Sequence, residues 1–484
     1  MNSLEQRIEK FGAEKIFIAI FLFFGVMILF MRPPYQLMDE INHIPRAWQI
    51  SQGIFLSPTM TLGEFQKADF RSKKIFYLHP PDDALNDKTY FAEFPVSFLS
   101  DDFIANSNKK YYIHSFSAEY VKKFLSTPLN ADECDVVLIP NTGVYPPPTY
   151  LPQAIAAFIG RILNLNAGII FYLMGLSGLI FVAACVFWSM KFLPEAKTLI
   201  FVLAMLPMFL VEAASTSADA VTFGVCFLGT AWLLSLRNST EKFSRAEIFG
   251  LIILSIMLAC SKSVYGTILL LYFLIPRERV GSLKKFLSLG AAILFLNLFL
   301  LFVWNWLSVE LADVKLYTNY YLGYTETNMA AQKIFVTEHP TAFFAAMINS
   351  LIEFKFLYLV SFIALWGASW NVTLPFIFYA LYGMILIFFS LLSNLQLNPI
   401  ERGILIFAAA VSTIGFFLFD YLIWSPVGGT LVIEVQGRYF IPVALMFFGA
   451  LSIFPPMRHK NLIATLAGIF SGLSMLTANF KAFY

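Results

Sequence analysis

The chain is poor in charge. Asp, Glu, Lys and Arg make up 13% of its 484 residues, about half the share of an ordinary soluble domain. A formal net charge of +2 excludes strong electrostatic capture of nucleic acid. Cysteine is also scarce. The four present (Cys134, Cys185, Cys226 and Cys260) show neither CxxC nor metal-site spacing. Three lie in or beside apolar runs, where a buried thiol is expected, and Cys134 is left with a partner only on another chain. The sequence has no Walker A, no GxGxxG opening a helix after a strand, no HExxH and no GxSxG. Cytoplasmic use of ATP or a nucleotide sugar therefore has no binding element. No internal repeat is visible, so the inverted-repeat plan of many secondary transporters has no support.

Hydrophobic residues fill the space instead: 58% of the chain, including 53 Phe, for a mean hydropathy of +0.70. A helix crossing a bilayer needs about 20 apolar residues, and such runs recur. We place spans near 15–31, 167–190, 195–212, 217–236, 246–260, 264–276, 286–306, 374–393, 403–424, 437–454 and 461–478. The fold class is thus an all-α polytopic membrane protein with about 11 transmembrane helices (range 10–13). The two segments flanking Ser261 are short and read as a tight hairpin. Segments 150–164 and 341–366 are short or interrupted by charge, and read as helices at or dipping into the interface, with spanning as the alternative. The first run, Lys15 to Met31, is followed by MRPP rather than a small-residue cleavage site, which makes it an uncleaved first helix.

Lys and Arg divide the loops into two sets. One set holds Arg7, Lys10, Lys15, Lys191, Lys197, Arg237, Lys242, Arg245, Arg277, Arg279, Lys284, Lys285, Arg402, Arg458 and Lys460; the opposite short loops hold only Lys262, Arg438 and Lys481. The positive-inside rule makes the first set cytoplasmic. The chain then divides into an inner N-terminus with the first helix (1–31), a large periplasmic loop (32–166), a helix bundle (167–306), a second periplasmic loop (307–373) and C-terminal helices (374–484). The first loop is long enough for a mixed cap: DVVLIPNT reads as a strand, YVKKFL as helix and PPDDALNDKTY as turn-rich connection.

The unusual polar residues gather on the outer face. Asp39 and Glu40 follow the first helix in PPYQLMDEINHIPRA, where prolines stop the helix and hold the chain extended near the headgroups. A carboxylate there is placed to act as general base between a lipid headgroup and a soluble acceptor. His43 and Arg46 enrich the same segment. Glu212 and Asp219 bracket EAASTSADA at two helix ends, and Lys262 sits in SKSVYG with Tyr265. Charge at membrane depth usually faces a cavity and a partner. Arg438 in EVQGRYFIP, flanked by Gln436 and Tyr439, offers a planar fork of donors suited to phosphate oxygens. Gly437 would let a ligand approach the backbone. Glu434 is an alternative structural partner for Arg438. Tyr145 and Tyr150 (YPPPTY) and the Trp366–Trp370 pair (WGASW) supply aromatic surface, as an interfacial belt or as platforms for sugar rings.

The succession MDEINHIPRAWQISQG, VYPPPTYLPQAIAAFIGRIL, LPMFLVEAASTSADAV, SKSVYGTILLLYFLIPRER, EHPTAFF and EVQGRYFIP resembles a bacterial family of polytopic proteins, DUF2142, from about residue 32 to 445. DExxHxxRA and QGRYFIP are its most specific elements. The family looks like part of the GT-C glycosyltransferases, multi-span enzymes that use polyprenyl-phosphate sugars on the outer face of the inner membrane. The resemblance implies catalysis by Asp39 or Glu40, Asp39 matching the place of the GT-C acid. It implies a substrate pocket drawing on His43, Arg46, Tyr145, Tyr150, Asp219, Lys262, Tyr265, Gln436, Arg438 and Tyr439. The expected reaction is transfer of a hexose such as glucose to O-antigen or another surface glycan, with inversion, beside a flippase and a polyprenyl-phosphate sugar synthase. No cofactor is required, and a divalent metal bridging Asp39, Glu40 and the phosphate is the alternative arrangement. A polyprenyl-linked glycan flippase and a non-catalytic assembly protein are the competing classes.

Overall fold

A computed structural model describes residues 2–37, 39–74, 82–99, 118–314, 327–367 and 372–484. Trp370 and part of the PPDDALNDKTY stretch lie outside the described residues. The chain is a multi-pass membrane protein, mostly helical. Among the described residues, six helices are long and apolar enough to cross a bilayer: Ala13–Met31, Ala167–Phe192, Ala218–Leu236, Leu283–Glu310, Pro399–Ile423 and Lys460–Phe483. Two bent pairs raise the number to eight if each counts as one span.

The count of eleven is therefore not reproduced, and the backbone gives the reasons. The run expected at 195–212 is two helices meeting at 83°. Pro207 lacks the N–H that would continue the first helix, and Leu206 before it is extended (ψ 128). From Thr198 onward this broken element is buried, which is where membrane-depth backbone tolerates a break. The run at 264–276 is a 3₁₀ helix, Ser263–Leu274. At about 2 Å per residue its 12 residues reach about 24 Å. Phe376–Leu391 and Arg245–Cys260, with 16 residues each, also reach about 24 Å, against a hydrocarbon thickness of about 30 Å. The run at 437–454 shrinks to the apolar stretch Gly437–Ala450.

The two candidate interfacial segments are helical, and the second is one of the two bent pairs that could each count as a span. Leu151–Ile162 buries Gln153, Ala154, Ala157 and Gly160 and leaves Leu151, Ile155, Phe158, Ile159 and Ile162 exposed, an apolar stripe over a small-residue face. Pro340–Glu353 and Lys355–Ile363 meet at 68°, with the charged Glu353 and Lys355 flanking the bend.

Contacts sort the loops onto two ends. At the basic end, Glu14 pairs with Lys191, Arg237 with Glu401, and Arg279 with Glu247. Arg279 also donates to the Leu236 carbonyl and Arg402 to the Ala450 and Ser452 carbonyls. These cations close helix C-termini, where orphan carbonyls and the helix dipole favour positive charge. At the other end lies the first large loop. Its β1 (Thr59–Thr61), β2 (Lys88–Pro95) and β3 (Cys134–Leu138) form an antiparallel sheet in the order β1-β2-β3, beside the helix Ala118–Ser126. The Tyr90 hydroxyl donates to the Ser308 carbonyl, and Trp304 Nε1 donates to Val144 O at 2.7 Å. The cap is thereby tied to the end of the helix Leu283–Glu310.

Candidate functional site

The first helix ends at Arg32, whose side chain is 2% exposed and pairs with Glu40 at 3.0 Å. The chain then turns through Asp39, in the left-handed region at φ 60, before the helix Glu40–Ser51. Asp is among the few residues that adopt this conformation without large strain. The Asp39 carbonyl accepts the first helical bonds from Asn42 and His43, while its carboxylate makes no capping bond. That carboxylate instead accepts from Asn141 Nδ2 at 3.0 Å and stands 3.7 Å from Arg438 Nη2. Adjacent acids thus point apart. Asp39 keeps 34% of its side chain exposed, whereas Glu40 is buried against Arg32, and burial raises its pKa.

Four segments meet at Arg438. Its Nη1 donates to Glu212 Oε1 at 2.8 Å, and its Nε stands 3.7 Å from Asp219 Oδ2. The other Asp219 oxygen is 3.0 Å from Lys262 Nζ, which lies 4.2 Å above the Tyr439 ring. Tyr439 is itself fixed by its carbonyl, which accepts from the Tyr265 hydroxyl at 2.9 Å. The partner of Arg438 is therefore Glu212, supplied by the broken helix. Gly437 serves packing rather than ligand access. A Cβ there would collide with the Tyr358 carbonyl and the Phe362 amide nitrogen, and its own N–H donates to Ser361 Oγ at 2.8 Å.

His43 lies on the same side. Its Nδ1 is 2.6 Å from the Tyr150 hydroxyl and its Nε2 is 3.4 Å from Ser217 Oγ. Burial lowers its pKa to about 4, leaving a neutral ring that relays hydrogen bonds. Tyr145 stacks beside Tyr150 with centroids 6.5 Å apart. Burial raises the pKa of Tyr145, and the negative charges of Asp219, Asp39 and Asp420 act in the same sense.

Several of the residues expected at the pocket have their polar groups engaged by the protein itself. Arg46 is fully buried and donates to Gln49 Oε1 (2.7 Å), Phe55 O (2.6 Å) and Tyr145 O (3.0 Å). Burial lowers its pKa to about 10, still cationic at neutral pH. Its Nη1 and Nη2 groups are thus taken up by Gln49 and by backbone carbonyls, which ties this segment to the Tyr145 loop. Tyr150 is buried, with its hydroxyl 2.6 Å from His43 Nδ1. Trp366 is also interior, donating to Asn479 Oδ1 at 3.0 Å between helices. Gln436 lines a narrow cavity behind Arg438 with Leu37, Met208, Glu212, Ser361 and Trp366.

The cluster has a partly exposed rim of Asp39, Asn141, Tyr145, Lys262 and Tyr439 over a buried floor of Glu212, Asp219, Arg438, Tyr265 and Asp420. Two cations face three carboxylates within ion-pair distance. Among the described residues, no group of three or more His, Cys, Asp or Glu is arranged to hold a metal ion. Asp420, in the last turn of Pro399–Ile423, is the acid that sequence reasoning missed. Its only sequence signal was a carboxylate inside an otherwise apolar run.

The fold and this cluster define a polytopic membrane protein with a charged pocket at one end of its helix bundle. The chain belongs to the family described as predicted membrane protein (DUF2142), whose model matches residues 22–447. No curated protein and no solved structure matches it.

Proposed function

We propose that this protein is a GT-C-type glycosyltransferase that moves a sugar from a polyprenyl-phosphate donor to a glycan acceptor, at the outer leaflet of a bacterial inner membrane. One observation carries the reading. Asp39, Glu212, Asp219, Lys262 and Arg438 come from distant segments and assemble around one pocket. Burying so much charge in an apolar bundle is expensive, and such groups typically serve a polar substrate.

The roles follow from exposure and partners. Asp39 is the exposed acid, and Asn141 and Arg438 hold its carboxylate. It accepts the proton of the acceptor hydroxyl as that oxygen bonds to the anomeric carbon. The bond from that carbon to the phosphate oxygen breaks, its electron pair leaves with the polyprenyl phosphate, and the anomeric centre inverts. Positioned general-base catalysis contributes about 10²–10⁴ in rate. Arg438 is surrounded by Glu212, Asp219 and Asp39, so it is a positioning residue that aligns the acids. Lys262 is the phosphate-facing cation, because it is 24% exposed and, among the described residues, Asp219 is its one ion-pair partner. Its swing from Asp219 to phosphate places positive charge where the leaving group becomes negative.

The test is mass spectrometry of surface glycans from cells with and without this chain, and from cells carrying Asp39→Asn at unchanged protein level. Loss of a sugar modification in both supports the reading. Normal modification in Asp39→Asn removes Asp39 as base and favours a non-catalytic assembly role.

A further inference from the structure

Among the buried polar atoms of the described residues that have no hydrogen-bond partner are Oδ2 of Asp420, a residue 4% exposed, and the hydroxyl of Tyr358, a residue 7% exposed. They come from different helices, Pro399–Ile423 and Lys355–Ile363, and Asp420 is the charged group that acts on the Tyr358 phenol. An unpaired buried carboxylate is costly, so a persistent one points to something absent from the protein atoms. Lys262 is the nearby attracting charge for Asp420, yet its ammonium is placed on Asp219 at 3.0 Å. Asp420 also acts on Tyr145 and Tyr439, which belong to the rim. The walls are aromatic. Phe417 meets Tyr358 edge-on at 5.9 Å, and Phe416 meets Tyr439 at 6.0 Å and Phe440 at 4.9 Å.

A carboxylate and a phenol set among aromatic rings match a pyranose, whose hydroxyls need acceptors and whose C–H faces pack on rings. We infer that Asp420 and Tyr358 form a hydroxyl-binding subsite for the sugar of the donor. The inference rests on the transferase reading above. The donor is favoured over the acceptor because its sugar is bonded to the phosphate, and Lys262 is the cation shared by both places. Asp420 accepts a hydrogen bond from one sugar hydroxyl, and Tyr358 donates to or accepts from a neighbouring one.

The experiment uses the full-length protein in nanodiscs. Its probes are decaprenyl phosphate carrying glucose, galactose or mannose, and bare decaprenyl phosphate. Binding is read by tryptophan fluorescence, with thermal unfolding as a check on folding. Wild type is expected to bind one sugar lipid more tightly than the bare lipid. Asp420→Asn and Tyr358→Phe are each expected to weaken that sugar lipid about tenfold or more, with bare-lipid affinity unchanged. Lys262→Gln is expected to weaken both lipids. If wild type discriminates and the two variants bind the sugar lipid as wild type does, the subsite is overturned and the transferase reading survives. Equal loss of both lipids in the two variants also overturns it, as a general packing effect. If wild type binds none of the lipids, donor reading and subsite fall together. Tyr358→Phe keeps the ring and decides the question if Asp420→Asn does not fold.

Discussion

Arg438→Met should be the most damaging single change in the pocket, and a double substitution should reverse most of the damage. The guanidinium is 8% exposed and stands within 4 Å of Glu212, Asp219 and Asp39, with the closest contact to Glu212 at 2.8 Å. Removing it strands Glu212, 4% exposed, in the buried helix Pro207–Ala213. Breaking one side of such a buried pair costs about 3–5 kcal/mol. Glu212→Leu alone should cost about 1.5–3 kcal/mol, because Arg438 keeps Asp39 and Asp219 as neighbours. With both replaced by apolar groups, no buried charge is orphaned at this contact and Asp219 retains Lys262 at 3.0 Å. The double variant should then be more stable than Arg438→Met, with a coupling of about 1–3 kcal/mol. Equilibrium unfolding in mixed micelles measures all four corners of the cycle. Additivity within about 0.5 kcal/mol would refute the pairing. Recovered stability should come without recovered sugar transfer, since Asp39 stays unaligned in the double variant.

Three further outcomes follow from the same geometry. The neutral, buried His43 binds its proton less readily when folded (about 4) than an unfolded histidine (about 6.5). Between those values the unfolded chain holds more protons, so stability should fall as pH drops from about 6.5 to 4, by about 3 kcal/mol in all. The wild-type minus His43→Gln difference in unfolding should carry that slope; a flat difference would show that the ring is not held neutral. Gly437→Ala should destabilise by about 3 kcal/mol or more, because its Cβ meets the backbone of Lys355–Ile363; an unchanged melting temperature would contradict the packing. Lys262→Gln should raise the donor KM more than the acceptor KM in a transfer assay. Equal changes would argue against Lys262 as the cation that receives phosphate.

Much of the site was legible because polar residues in an apolar chain stand out. Asp39, Asp219, Lys262 and Arg438 were each visible as charges at the ends of apolar runs, and they do share a pocket. Their partners were not legible. Glu212 lies 226 positions from Arg438, and the neighbouring Glu434 was an equally plausible guess from sequence. The internal partners of Arg46 and Tyr150 were not legible either, since nothing local distinguishes a cation bonded to backbone carbonyls from one open to a ligand. Asp420 was passed over because a single acid near a helix end has no sequence signature of being buried and unpaired.

Hydropathy and loop charge alone determined that the chain is a multi-pass membrane protein and which loops share a face, because transfer to lipid is a local property of about 20 residues at a time. The number of full-length helices was decided by tertiary packing. Neighbouring helices satisfy the backbone at Pro207 and around the 3₁₀ segment Ser263–Leu274, so apolar runs there need not be straight spans. The pocket was likewise a tertiary outcome. Which charges neutralise each other depends on distances of 3–4 Å between segments hundreds of residues apart, and Coulomb attraction acts on distance in space rather than order along the chain.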